Sequence, residues 1–168
     1  MMEKSLEIYS AEAVVDDVAA ALSLVNAAAK TANAVIVLFD AEKITGPNHI
    51  RSAVMHAERS FASGKPVART LSMEILLYAS GQRQCSFAPQ FGLHLEKNYL
   101  YVAVLGGDFA KARDLLLDVA VPKDHQMTAN VSVLMELFGI TAEEIEVVGV
   151  ERIEELVLER VAMMDAYK

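Results

Sequence analysis

The chain has 168 residues, 54% of them hydrophobic, a net charge of −8 and one cysteine. This composition excludes disorder and supports a single domain, residues 1–168, with a full core. It also excludes an internal disulfide, a thiolate metal site and a broad surface that coats nucleic acid.

No apolar run approaches the ~20 residues that cross a bilayer, and the opening MMEKSLEIY has no secretory apolar core, so a cytoplasmic protein without membrane contact is expected. Leu6 to Tyr9 alternates and reads as a short first strand. Ser10 is then expected to cap a helix from Ala11 to about Lys30, with Val14, Val18, Ala21, Leu22 and Val25 on one face. Ala34 to Phe39, AVIVLF, is apolar throughout and reads as a central strand covered on both faces. Gly46-Pro47 opens the next helix, where proline suits the first turn, and Ile50, Val54, Ala57 and Phe61 form its buried stripe.

Gly64 and Pro66 break that helix. A second helical run, Leu71 to Ser80, is stopped by Gly81, because glycine takes positive φ without strain. Further on, Leu93 to Leu95 and Tyr99 to Leu105 suggest a hairpin turning at Glu96-Lys97-Asn98. Gly106-Gly107-Asp108 ends its second arm and caps a helix from Phe109 to about Val119, broken by Pro122. A helix from about Ala129 to Phe138 stops at Gly139, Thr141 to Glu144 has the form of a capping box, and a last helix runs from about Glu151 to Ala166. The expected fold is α/β (α+β): a small, mainly antiparallel sheet of about four strands flanked by helices.

Several lookalikes of chemical sites fail on spacing. Gly106-Gly107-Asp108 lacks the other glycines of a dinucleotide fingerprint and any Gly-Lys-Ser/Thr ending, and its aspartate would repel a phosphate. His49 and His56 lie two helical turns apart, too far for one metal ion without a ligand between them, so they read as surface histidines. Cys85 has no adjacent histidine base and reads as a packing cysteine. With no nucleophile–base pair, paired carboxylates or metal cluster in view, a catalytically silent protein without cofactor or metal is expected.

The charge is unevenly distributed. Arg51 to Gly92 carries five cations (Arg51, Arg59, Lys65, Arg69, Arg83) against Glu58 and Glu74, whereas Thr141 to Lys168 carries three cations against eight acids. Lys65, Arg69 and Arg83 flank the apolar run Ile75 to Tyr78, and cationic residues at the ends of a rigid helix suit an anion or a polar strand. Arg83-Gln84 offers a forked donor and an amide just past the helix stop, and Tyr78 and Phe87 offer stacking surfaces of the kind used on single strands.

The same stretch carries a resemblance. Arg69, Ser72, Glu74 to Tyr78, Ser80, Gly81, Arg83 and Gln84 spell ART-x-S-x-EILLYASG-x-RQ, which resembles the kinase-binding subunit (the PRPK-binding protein family) of the KEOPS, or EKC, complex in archaea and eukaryotes. Cys85 stands where that family usually has isoleucine, and Pro89 falls in a run the family keeps helical. The resemblance implies a non-catalytic adaptor in threonylcarbamoyl-adenosine synthesis on transfer RNA, here of the archaeal kind. It implies contact with the single-stranded 3′ end of transfer RNA, expected at Lys65, Arg69, Arg83 and Gln84.

The last helix gives a second surface. At 100° per residue, Val150, Ile153, Val157, Val161 and Met164 form one stripe, with Leu156 and Met163 on its flank and Arg160 between. An apolar arc this wide fits either a helix wedged between two neighbours or one whose Leu156, Arg160 and Met163 face a partner. The resemblance implies that this partner is the small N-terminal lobe of a Bud-type atypical kinase, with Ile153 and Val157 in the same contact. Two other readings remain open: a small-molecule enzyme with an anion pocket near Arg69 and Arg83, and a purely structural kinase-activating subunit that does not touch RNA.

Overall fold

The computed structural model describes residues 5–81 and 89–167. In chain order they form β1 (Leu6–Val15), α1 (Val18–Ala32), β2 (Val35–Asp40), α2 (Pro47–Ala62), α3 (Leu71–Ser80), β3 (Glu96–Leu105), α4 (Phe109–Leu115), β4 (Val121–Pro122), α5 (Val131–Phe138), α6 (Ala142–Val148) and α7 (Ile153–Tyr167). The strands make one antiparallel sheet in the order β2-β3-β1-β4, which is the α/β class expected from the sequence. The chain divides into two compact units: Met1–Asp40 with Gly92–Gln126, and Ala41–Phe91 with Met127–Lys168.

The first unit holds the sheet. β1 pairs with β3 along its whole length, from Leu6 opposite Leu105 to Val15 opposite Glu96. This corrects the expected helix from Ala11: Ala11, Ala13 and Val15 are buried while Val14 is 76% exposed. Alternation of that kind is a strand period, and ten residues of ladder outweigh the helix preference of an alanine-rich run. The helix cap is Asp17, which accepts from the Ala20 amide, and not Ser10. α1 and α4 cover one face of the sheet, where Val25, Ala28 and Ala112 meet Leu38, Leu100 and Val102. Each large aliphatic side chain buried there contributes about 1.5–3 kcal/mol.

Two further expectations are corrected in this unit. β2 pairs only with β3 and so lies at the edge of the sheet, although Ile36 to Asp40 are all buried. β3 is a single strand between β1 and β2, and Leu93 to Leu95 make no hairpin with it. Asn98 explains the difference: its side chain accepts from the His94 amide and donates to the His94 and Glu96 carbonyls, holding a loop that Glu96 enters at φ 71°. Asp108 caps α4 as expected, and Pro122 pairs at the sheet edge, where a missing N–H does no harm. Gly107 is required by space as well as by its φ of 63°, since a Cβ there would stand 2.4 Å from the carbonyl oxygens of Ala32 and Asn33.

The second unit is helical. α2 starts at Pro47, and α7 packs on α2, α3 and α5. Asn130 caps α5, Gly139 ends it at φ 63°, and Thr141 with Glu144 makes the reciprocal capping box read from the sequence. The last helix begins at Ile153, after a 3-10 turn over Val150–Arg152.

Candidate partner-binding surface

The motif helix α3 runs from Leu71 to Ser80, and Gly81 ends it at φ 66°, both as expected. Thr70 caps its start by accepting from the Met73 amide. Ile75, Leu77 and Tyr78 are fully buried, so the apolar body of the motif is core.

Glu74 is also fully buried, which no pattern in the sequence signals. Its carboxylate accepts from the Val67 amide at 3.1 Å, the Ala68 amide at 2.8 Å and the Ser60 hydroxyl at 2.7 Å. A buried carboxylate is tolerated when donors surround it in this way. The loop from Gly64 to Thr70 is wound around this one side chain, with Ala68 turned inward and Lys65 and Arg69 exposed. Arg83, Gln84, Cys85 and Phe87 lie outside the described residues.

Three expectations about this helical unit are corrected. Tyr78 offers no free face to a base: its ring stacks on His56 at 5.6 Å, and its hydroxyl donates to Asp165. Burial, then that hydrogen bond, push the phenol up. His56 and His49 are buried, not on the surface. His56 Nδ1 lies 2.8 Å from Asp165, so Asp165 joins the end of α7 to both α2 and α3.

The third correction concerns the last helix. Leu156 is 6% exposed and Val157 fully buried, because α7 has helices on three sides and its apolar arc is wedged among them. Ile153 is half-buried. Arg160 is engaged within the chain: it donates to Glu144 at 2.7 Å and 3.0 Å and to the Phe138 and Gly139 carbonyls at 3.3 Å. The Arg160 guanidinium, then the Thr141 amide, hold the Glu144 carboxyl below the usual carboxylate range. Of the expected contact residues, Met163 is the most exposed, at 38%.

Met163 borders an open cleft of about 470 Å³ whose other walls are Gly81, Phe138, Glu144, Glu159 and Arg160. The end of the motif helix and the last helix, which the sequence presents as two surfaces, therefore meet at one place. Gly81 is packed there, since a Cβ would stand 3.3 Å from the Phe138 ring and 3.8 Å from Arg160 Cβ.

Among the described residues no group of three His, Cys, Asp or Glu side chains is placed to hold a metal ion, and no helix is long and apolar enough to cross a membrane. The fold is that of an α/β protein, and its open cleft joins a half-exposed methionine, the Phe138 ring and two glutamates. A family model described as Kinase binding protein CGI-121 matches residues 15–165, and the chain belongs to that family. No curated protein matches the chain.

Proposed function

We propose that the chain is the non-catalytic adaptor subunit of the KEOPS complex, binding its Bud-type atypical kinase and helping to recruit transfer RNA by the single-stranded 3′ end. The observation that carries this reading is the kinase-binding family match over residues 15–165, joined to the motif from Arg69 to Gln84. Support for the protein contact comes from Met163 beside an open cleft, since methionine adapts to a partner surface at low cost. Support for the RNA contact comes from Lys65 and Arg69, exposed on a loop fixed by Glu74.

The adaptor acts by linking two binding events. Once the kinase is held, the transfer RNA end meets the complex at raised effective concentration, and the modification chemistry belongs to another subunit. RNA binding by the isolated chain is weak and salt-sensitive because the whole molecule carries −8. Calorimetry with the purified Bud-type kinase tests the protein contact, and no heat of binding would overturn it. Filter binding with transfer RNA, with and without its 3′-terminal nucleotides, tests the RNA contact. Equal retention of both RNAs would remove the 3′ end as the contact, and retention of neither would leave a purely structural kinase-activating subunit.

A further inference from the structure

We infer that Asp165, in the last turn of α7, is the positioning residue of the loop that bears Lys65 and Arg69. Its functional weight rests on the RNA contact proposed for those two cations. The loop is the connection between α2, which ends at Ala62, and α3, which starts at Leu71. Its backbone is held next to each cation. The Lys65 amide donates to the Ser60 carbonyl at 3.1 Å, and the Ser60 hydroxyl returns a bond to the Lys65 carbonyl at 3.2 Å. Beside Arg69, the Ala68 amide donates to Glu74 at 2.8 Å. Both side chains are exposed, so these bonds fix where each cation leaves the surface.

Two rungs join α2 to α3 behind this loop. Ser60 on α2 and Glu74 on α3 make the first, at 2.7 Å. His56 on α2 and Tyr78 on α3 make the second, with their rings stacked at 5.6 Å. Residues four apart share one face of a helix and lie about 6 Å apart along its axis, so the second rung stands one turn further from the loop. The Ser60 hydroxyl also meets the Tyr78 phenol, which makes the two rungs one network.

Asp165 closes the second rung from a third helix. One of its oxygens accepts from the Tyr78 hydroxyl, and the other lies 2.8 Å from His56 Nδ1. A single carboxylate bonded to both helices sets their separation and register one turn from the loop. Without it, the first rung holds the α2–α3 hairpin in register alone. The Asp165 side chain is 43% exposed, so water can replace the lost bonds, and the effect falls on alignment more than on the core. Charge gives this role a sign. Asp165 is an acid in a chain of net charge −8, so removing it raises any diffuse attraction to RNA, whereas a loop out of position lowers the affinity.

The test is amide hydrogen exchange of the full-length chain, read by NMR, with transfer RNA affinity measured at one fixed low salt concentration. In Asp165→Ala the Val67 and Ala68 amides should exchange about tenfold faster, whereas amides of β3 should rise by less than about threefold. Tyr78→Phe keeps the ring on His56 and loses the bond to Asp165, so it should act alike, and the double variant should add less than about twofold. Asp165→Asn keeps an oxygen for the Tyr78 hydroxyl and should restore most of the protection. Asp165→Ala should bind transfer RNA about threefold or more weakly than the parent, whereas Glu155→Ala, which removes another acid of α7, should not weaken it. The inference is overturned by unchanged loop exchange, by a rise as large in β3 as in the loop, by additive effects of the two substitutions, or by an Asp165→Ala chain that binds RNA as well as the parent. A parent chain that binds no transfer RNA would count against the proposed function instead, and the exchange rates would still support or overturn the role of Asp165.

Discussion

His49 donates through Nε2 to the carbonyl oxygen of Ala79 at 2.8 Å, while its Nδ1 accepts from the Thr45 amide at 3.2 Å. The ring is fully buried, and both nitrogens are used in a way that only the neutral tautomer with hydrogen on Nε2 allows. A second proton on Nδ1 would face the Thr45 N–H. Burial accordingly lowers the His49 pKa to about 4.

The pH dependence follows from that shift. Below the unfolded value of 6.5 the unfolded chain binds a proton that the folded chain refuses, so stability falls as pH drops from about 6.5 towards 4. Between pH 7 and 5 this residue should cost about 2 kcal/mol. Urea unfolding of the parent and of His49→Gln at both pH values reads the difference. Parallel losses in the two chains would show that the imidazole is not held neutral.

Leu156 and Met163 should separate folding from binding. Leu156→Glu places an unpaired carboxylate in a buried site and should cost about 3 kcal/mol or more, seen as a lower melting temperature. Met163→Glu changes a half-exposed side chain beside Glu159 and Glu144, and should leave melting nearly unchanged while weakening kinase binding about tenfold. A Met163→Glu chain with full kinase affinity would remove this cleft as the docking site.

Glu74 should govern the loop that bears the exposed cations. Glu74→Ala leaves the Val67 and Ala68 amides without their acceptor, a loss of about 3 kcal/mol. Trypsin gives a local readout, because it cuts after Arg69 but not at Lys65, which precedes Pro66. Cleavage after Arg69 should quicken severalfold in Glu74→Ala at a temperature where its helical circular dichroism is intact. An unchanged rate would mean that the carboxylate does not hold the loop.

Arg83 should matter to RNA more than a remote cation does. Arg152 is already paired with Glu155 at 2.6 Å, so Arg152→Glu samples diffuse charge alone. At one fixed low salt concentration, Arg83→Ala should lose about five- to a hundredfold in affinity for a transfer RNA with its 3′ end, and Arg83→Lys less. Equal losses from Arg83→Ala and Arg152→Glu would point to unlocalised attraction.

The sequence by itself determined the elements whose signals are local. Gly81 and Gly139 end their helices, Pro47 starts one, Thr141 and Glu144 close a capping box and Asp108 caps α4, because each depends on φ or on a bond three residues away. The motif from Arg69 to Gln84 carried the family in the same local way. Tertiary structure decided whatever depends on a distant partner. Ala11 to Val15 is a strand because β3 lies beside it, Leu156 is core because three helices surround α7, and Tyr78 meets His56 and Asp165 rather than a base. A helical wheel gives the width of an apolar arc but not the number of neighbours that fill it, and only packing fixes that number.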